Sequence, residues 1–239
     1  MLSAKNRLIV ALDVPDLALA SSLVSEIGPL VGAFKVGLEL ISAQGGPPVV
    51  QAIHSLGCKV FYDGKFNDIP NTVGSATRAT AQMGVWMLNV HASAGLAALK
   101  ACAANKGNAI AVAVTVLTSL PASECSEIFG ASVESKVEQF TDFALHSGLD
   151  GIVCSPQELR LISKAAQRAA LCTVVPGVRP AWAATDDQAR VTTPHDAIRL
   201  GATYLVIGRP ILKPPPDVGS PRRAVELVLK EVNDALCLG

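Results

Sequence analysis

Residues 58–72 read CKVFYDGKFNDIPNT and join a largely apolar run to a group of charged side chains. The run Cys58–Tyr62 is followed at once by Asp63, Lys65 and Asp68. A short apolar run that does not alternate with polar residues is typical of a strand buried on both faces. We therefore expect a buried strand here, with charged groups at its carboxyl end.

The same pattern recurs along the whole chain. Short apolar runs rich in Val, Ile and Leu alternate with stretches of helical spacing such as Asp16–Ile27, Glu134–His146 and the closing Pro221–Leu236. Continuous apolar runs of this kind favour parallel strands with helices on their faces. The predicted strands are Leu8–Leu12, Phe34–Leu38, Cys58–Tyr62, Val85–Val90, Ala109–Leu117, Gly151–Cys154, Leu171–Val175 and Tyr204–Ile207.

Eight strand-then-helix units in 239 residues, with no Gly-, Ser- or Pro-rich linker dividing them, match the size and rhythm of a (β/α)8 TIM barrel. We predict a single α/β domain of this kind over residues 1–239. The alternative is a doubly wound open sheet, which usually has fewer strands and a G-x-G-x-x-G turn after the first one. Because the first strand runs instead into Ala-Leu-Asp-Val-Pro at residues 11–15, the barrel is favoured.

Composition excludes several classes of function. Twenty basic and twenty acidic residues give a formal net charge of zero, so the positive surface of a nucleic-acid or anionic-membrane binder is not expected. Hydrophobic residues make up 50% of the chain and the mean hydropathy is +0.39, which is sufficient for a sizeable core. A membrane span needs about 18 or more apolar residues, and the longest run, Ala109–Val114, is broken by Thr115. No signal-peptide core precedes the first strand, so we expect a cytoplasmic protein.

Cysteine and histidine spacing gives no indication of a metal. The six cysteines contain no C-x-x-C pair, and no histidine has a second His or Cys at metal-ligand spacing. We expect free thiols in a reducing compartment and no metal site.

In a (β/α)8 barrel the active site is built at the carboxyl ends of the strands. The polar residues that end the predicted strands are unusually rich in charge. Side by side, such charges are tolerated when carboxylates alternate with cationic groups. In chain order these residues are Asp13, Lys35, Asp63, Lys65, Asp68, His91, Thr118, Ser119, Ser155, Arg179, Gly208 and Arg209.

The third strand carries the most specific signal, Asp63, Lys65 and Asp68 at D-x-K-x-x-D spacing. In an extended chain Asp63 and Lys65 face the same side, and a turn from Asn67 can bring Asp68 back to the ammonium. Two carboxylates would hold Lys65 cationic, which suits it to donate a proton. Lys35 can pair with Asp13 or Asp63 and extend the alternating charges. The other interpretation is an ion-pair network that only closes the barrel mouth.

These motifs together resemble the orotidine 5'-phosphate decarboxylase family. The resemblance runs in the correct order from about Leu8 to Ile211, and the third-strand motif is its most specific part. It implies a (β/α)8 barrel that converts orotidine 5'-monophosphate to UMP and CO2 in pyrimidine synthesis, without metal or organic cofactor, as a homodimer with shared active sites. The segments are ALDV at 11–14, FKVG at 34–37, DGKFNDIPNT at 63–72, NVHAS at 89–93, PGVRP at 176–180, DDQARVTTP at 186–194 and IGRPI at 207–211.

The resemblance also implies a role for each matching residue. Lys65 would be the proton donor, Asp63 would lie against the leaving carboxylate, and Asp68 would complete the catalytic group from the partner subunit. The expected substrate contacts are Asp13 and Lys35 at the ribose, Thr72 from the partner subunit, Thr118 at the pyrimidine ring, and Arg179, Gln188, Gly208 and Arg209 at the phosphate. A backbone N–H and a guanidinium after strands seven and eight do suit a phosphate.

Segment 177–193 is the candidate for a lid over the phosphate, because it is rich in Pro, Ala and Asp and has no strong helical stripe. Departures from the family pattern are Gly64, Asn67 and Ala94, where other residues are common. None is a catalytic position, and Gly64 bears on local stability more than on activity.

Three other functions stay open. A Mg²⁺-dependent sugar-phosphate decarboxylase or synthase of the same superfamily would need a carboxylate on strand two, where this chain has Lys35. A Schiff-base aldolase would need a desolvated lysine rather than Lys65 between two carboxylates. A non-catalytic phosphate sensor on a barrel scaffold would bind without turnover. Outside the charged group, we interpret His91 as structural, Ser155 as a helix cap, and Cys154 as a thiol without a base.

Overall fold

The computed structural model describes residues 2–164, 168–183 and 192–237. Eight parallel strands follow one another in chain order around a closed barrel, which confirms the predicted (β/α)8 fold. The strands are β1 Leu8–Ala11, β2 Ala33–Val36, β3 Val60–Phe66, β4 Met87–His91, β5 Ile110–Val114, β6 Gly151–Val153, β7 Cys172–Val175 and β8 Tyr204–Ile207.

Helices alternate with these strands in the described ranges. Short 3₁₀ segments at Gly28–Leu30, Ala92–Ala94, Pro156–Glu158 and Arg168–Ala170 supplement them. The α-helices are α1 Ala4–Arg7, α2 Leu17–Ile27, α3 Leu38–Gln44, α4 Gly46–Ser55, α5 Pro70–Gln82, α6 Leu96–Asn105, α7 Ala122–Phe129, α8 Val133–Ser147, α9 Leu159–Ile162, α10 Pro194–Arg199, α11 Arg209–Leu212 and α12 Pro221–Cys237.

Strand β8 has its predicted bounds, the other seven strands differ from theirs at one or both ends, and β3 and β5 differ most. Strand β3 continues past the apolar run to Phe66, so Asp63 and Lys65 lie within the strand rather than after it. Strand β5 ends at Val114, three residues before the end of its apolar run. Backbone pairing does not depend on whether a side chain is apolar, which is why hydrophobicity alone misplaces these ends.

The chain divides into two compact units. The first unit comprises residues 1–64 and 177–239, and the second comprises residues 65–176. In the first unit β1 pairs in parallel with β2, with Ala11 opposite Lys35, and also with β8. Strand β2 pairs with β3, with Lys35 opposite Phe61. The first unit therefore sets the ends of β1, β2 and β3 side by side.

The core of the first unit explains its uniformly apolar strands. Every residue of β1 and of β8 is buried, as expected for parallel strands covered on both faces. Burying a large apolar side chain such as Phe34 contributes roughly 1.5–3 kcal/mol. Helix α12 presents one apolar stripe to this core, made of Ala224, Val225, Val228, Val232 and Ala235.

The second unit contains the parallel pairs β4–β5, β5–β6 and β6–β7. Its core is equally apolar, with Met87, Leu88, Leu99 and Ile152 fully buried. Helix α8 begins at a Ser132 cap, whose side chain accepts the N–H of Ser135. One polar side chain, Asn89, lies buried in the middle of β4.

No helix in the described ranges has both the length and the apolar character needed to cross a membrane.

Candidate active site

Three charged side chains meet at the ends of β1, β2 and β3 in the first unit. Lys35 Nζ lies 3.1 Å from Asp13 Oδ1 and 3.0 Å from Asp63 Oδ2. The side chains of Lys35 and Asp63 are 12% and 8% exposed, whereas that of Asp13 is 53% exposed. The lysine thus joins a buried carboxylate to one that faces solvent. We call Asp13, Lys35 and Asp63 the ion triad.

The ion triad keeps Lys35 charged. Burial by itself lowers the pKa of the Lys35 ammonium, but the charges of Asp63 and Asp13 and their hydrogen bonds outweigh it, so the pKa is raised. The carboxylates therefore offset the desolvation of the buried cation.

Two glycines leave room for the ion triad. A Cβ at Gly37 would lie 2.9 Å from Lys35 Nζ and 3.2 Å from Asp13 Oδ1. A Cβ at Gly208 would lie 3.3 Å from the Cβ of Ala11 and 3.6 Å from Asp13 Oδ2. The backbone after β8 therefore approaches the Asp13 carboxylate closely, and a Cβ at Gly208 would fit only with a small shift of Ala11.

Lys65, two residues after Asp63 on β3, has an unusual backbone. Its φ is +48°, and it is the one non-glycine residue in the described ranges with a positive φ. Such a conformation costs about 1–3 kcal/mol outside glycine. Its N–H donates to Oδ1 of Asn89, at 2.7 Å, and Asn89 is 1% exposed. The sequence pointed to Lys65 but not to Asn89, although a polar residue amid the apolar strand MLNVH was the available signal.

Asp68 and Thr72 lie on an exposed stretch of the second unit. Residues 67–72 are all exposed, and Ile69 is 66% exposed. Asp68 Oδ1 accepts the N–H of Ile69, at 2.7 Å, just before α5 begins at Pro70. Their expected contact with a partner subunit stays a prediction, and this exposure is compatible with it.

The residue that directly follows β5 is Thr115 rather than Thr118. Thr115 is buried and its hydroxyl donates to the carbonyl of Val153, at 2.8 Å. Thr118 lies in an exposed turn four residues past the strand. Its predicted contact with a pyrimidine ring stays a prediction.

The predicted phosphate residues follow β7 and β8. Arg179 is buried, and its backbone N–H donates to the carbonyl of Thr192, at 3.0 Å. Gly208 is the N-cap of α11, and Arg209 is the exposed first residue of that helix. Gln188 and about half of the predicted lid, residues 184–191, lie outside the described residues.

Glu231 of α12 is a further residue that the sequence did not indicate. Burial raises the pKa of its carboxyl, against the lowering effect of hydrogen bonds from the backbone N–H groups of Ala181 and His195. Ala181 lies within the predicted lid segment 177–193, and His195 lies two residues after its end. Glu231 therefore connects the backbone at Ala181 and at His195 to α12.

The residues interpreted as structural have these positions. Ser155 begins a capping box in which its N–H donates to Glu158 Oε2, at 2.9 Å, so the cap is confirmed. Cys154 is fully buried, and burial raises the pKa of its thiol well above the usual value, which makes it a poor nucleophile. His91 is the half-buried last residue of β4.

Within the described ranges, no group of three or more His, Cys, Asp or Glu side chains is placed to hold a metal ion.

A closed (β/α)8 barrel whose strand ends carry paired lysine and carboxylate groups defines a barrel enzyme. The family described as Orotidine 5'-phosphate decarboxylase / HUMPS family matches residues 6–224. The chain belongs to this family. Its relatives carry the name of a carboxy-lyase, and the chain is an enzyme of that class.

Individual relatives agree with this assignment. The orotidine 5'-phosphate decarboxylase of Moorella thermoacetica is 47% identical over 230 residues, which cover 92% of this chain and 90% of the relative. That of Hahella chejuensis is 42% identical over 95% of this chain and 97% of the relative. The crystal structure of Orotidine 5'-phosphate decarboxylase from Lactobacillus acidophilus has a TM-score of 0.79 and 31% identity, and the match covers 95% and 98% of the two chains.

Proposed function

We propose that this protein converts orotidine 5'-monophosphate to UMP and CO2 in pyrimidine nucleotide synthesis, without a metal or organic cofactor. The observation that carries the proposal is the ion triad. Its member Asp63 lies two residues before Lys65 on β3. The names of the curated relatives support the substrate. Lys35 supports the metal-free route, because a cation stands where a Mg²⁺-dependent relative needs a carboxylate.

Lys65 supplies the proton. When the bond between the ring carbon and the carboxylate breaks, CO2 leaves and the electron pair stays on the ring carbon. That carbon has no adjacent carbonyl to take up the charge, so a nearby cation must stabilise it. The Lys65 ammonium attracts the developing charge and then transfers its proton to the carbon, and solvent reprotonates the amine.

Asp63 and the rest of the ion triad provide the electrostatic setting. A buried carboxylate at Asp63 disfavours a second carboxylate nearby, which favours loss of CO2 from the bound substrate. Lys35 pairs with Asp63 at 3.0 Å and holds its carboxylate in place. Asp13, with half of its side chain exposed, is accessible to a ribose hydroxyl.

The phosphate supplies binding energy far from the reacting carbon. Gly208, Arg209 and Arg179 offer backbone N–H and guanidinium groups, which form strong charge-assisted hydrogen bonds with phosphate. Binding energy at a remote group can be used to hold the substrate in the reactive geometry. Gln188 adds to this end of the site, and Thr118 contacts the pyrimidine ring.

The active protein is a cytoplasmic homodimer in which Asp68 and Thr72 enter the partner's site. The exposed stretch 67–72 supports this arrangement, because Asp68 and Thr72 are accessible there to a second copy of the chain. The six free cysteines support a reducing compartment.

The test is the loss of orotidine 5'-monophosphate absorbance on adding purified protein, before and after exhaustive EDTA treatment. Turnover that chelation leaves unchanged is the expected result. Turnover that EDTA removes would favour the Mg²⁺-dependent sugar-phosphate enzymes, and binding of the nucleotide without turnover would favour a sensor.

A further inference from the structure

The backbone of Lys65 is held in a conformation that its own side chain disfavours. Residues with a Cβ avoid the left-handed region, and where they adopt it the surrounding structure has to impose it. Lys65 has φ +48° near the end of β3, whereas the other positive φ values in the described ranges belong to glycines. A restraint specific to Lys65 is therefore required.

The side chain of Asn89 contacts the Lys65 peptide directly. Asn89 Oδ1 accepts the Lys65 N–H at 2.7 Å, although the two residues are 24 positions apart in sequence. This contact also identifies which amide atom is the oxygen, since only the oxygen can accept an N–H.

Asn89 stands where a strand would normally carry an apolar residue. It lies in β4 between Leu88 and Val90, both fully buried, and is itself 1% exposed. Asparagine is unfavourable in strands, and a buried amide is costly unless it is hydrogen-bonded. Its backbone pairs opposite Val112 of β5, so the strand is intact and the side chain is the exceptional part. A residue that breaks local rules in this way indicates a functional constraint.

We propose that Asn89 is a positioning residue, which fixes the Lys65 peptide in the left-handed conformation and so directs the ammonium toward the reacting carbon. This inference rests on the proposed role of Lys65 as proton donor. Asn89 acts through Lys65 and does not itself touch the substrate. Misplacement of a catalytic group by about 1 Å can lower the rate on the order of 100-fold.

The variants Asn89→Leu and Asn89→Asp separate this role from a structural one. Leucine has a side chain branched at the same carbon but no acceptor, whereas aspartate keeps an acceptor oxygen. We expect kcat of Asn89→Leu to fall roughly 100-fold with KM changed less than about 3-fold, and kcat of Asn89→Asp to stay at least about 10-fold above it. If Asn89→Leu does not accumulate as folded protein, Asn89→Ala replaces it.

The matched control is Thr141→Val. Thr141 is fully buried in α8 of the same unit, and its hydroxyl donates to the Val137 carbonyl at 2.7 Å. The substitution removes a buried hydrogen bond within α8, so kcat should be unchanged. Equal losses of kcat in Thr141→Val and Asn89→Leu would show a general effect of stability and would overturn the proposal.

A crystal structure of Asn89→Leu gives a readout that does not depend on activity. The expected result is that Lys65 leaves the left-handed region. Lys65 still near φ +48°, or unchanged kcat in an active variant, would contradict the positioning role. If wild-type protein does not decarboxylate orotidine 5'-monophosphate, the proposed function fails, and the conformation of Lys65 in the variant alone decides whether Asn89 restrains it.

Discussion

Lys35 Nζ lies 3.0 Å from Oδ2 of Asp63, and both side chains are almost completely shielded from water. Breaking a buried pair by removing one partner leaves an uncompensated charge, which costs about 3–5 kcal/mol. Removing either partner is therefore expected to destabilise the fold.

We predict that Lys35→Met lowers the free energy of unfolding by about 3–5 kcal/mol and abolishes turnover, because the buried Asp63 carboxylate loses its cation. Denaturant unfolding at neutral pH measures the first effect. The control is Lys230→Met, which removes the same charge from an exposed pair with Asp234 and should change stability by less than about 1 kcal/mol. Equal stability of the two variants would contradict the importance of the buried pair.

The same pair predicts a dependence on alkaline pH. Asp63 and Asp13 raise the pKa of Lys35 in the folded state against the effect of burial. A raised pKa means that the folded state holds the proton more tightly, so the pair's stabilisation is complete below the unfolded value of about 10.4 and is lost as pH rises through the folded value. The stability difference between wild type and Lys35→Met should therefore shrink above about pH 10.4. A difference that grows with pH would contradict the assignment.

Gly37→Ala should reduce turnover while the fold is retained. The new methyl group would lie 2.9 Å from Lys35 Nζ, and the flexible lysine can move away only by lengthening its contacts with Asp13 and Asp63. We expect kcat/KM to fall by roughly 10-fold or more. The control is Gly74→Ala in α5, which places a methyl group 3.2 Å from Nδ2 of Asn105 in α6. This variant should keep full activity. Full activity of Gly37→Ala would mean that the ion triad tolerates displacement.

Lys65→Ala should abolish turnover and leave the fold intact, because it removes the proton donor but no core side chain. Absorbance of orotidine 5'-monophosphate reports turnover, and thermal unfolding reports the fold. Lys100→Ala, at an exposed position of α6, controls for loss of a positive charge and should remain active. Near-wild-type turnover by Lys65→Ala would exclude Lys65 as the proton donor.

The sequence predicted the barrel because each parallel strand is buried on both faces and reads as a continuous apolar run. Strand β8 was predicted at its observed bounds, whereas β3 was predicted to end four residues early, because charged residues also pair in a ladder. Lys35 was expected to pair with Asp13 or Asp63, and it pairs with both because β1, β2 and β3 are neighbouring strands.

The positions of Thr115 and Asn89 could not be read in the same way. An apolar run does not show where a strand stops pairing, so Thr118 was taken as the end of β5 in place of Thr115. The restraint on Lys65 depends on a backbone angle, which has no local sequence pattern, and on Asn89, whose one signal is a polar residue in an apolar strand 24 residues away.

Arg209→Ala should weaken binding of the phosphate and affect the chemical step little. A charge-assisted hydrogen bond contributes about 1.5–3 kcal/mol, so KM for orotidine 5'-monophosphate should rise roughly 10- to 150-fold with a much smaller change in kcat. Orotidine, which lacks the phosphate, tests the assignment directly: its kcat/KM should be nearly the same in wild type and variant. The control is Arg222→Ala, at the exposed start of α12, where the guanidinium pairs with Glu226 and no change is expected. If Arg209→Ala lowered kcat/KM equally for orotidine and for orotidine 5'-monophosphate, Arg209 would act on the reacting part of the site rather than on the phosphate.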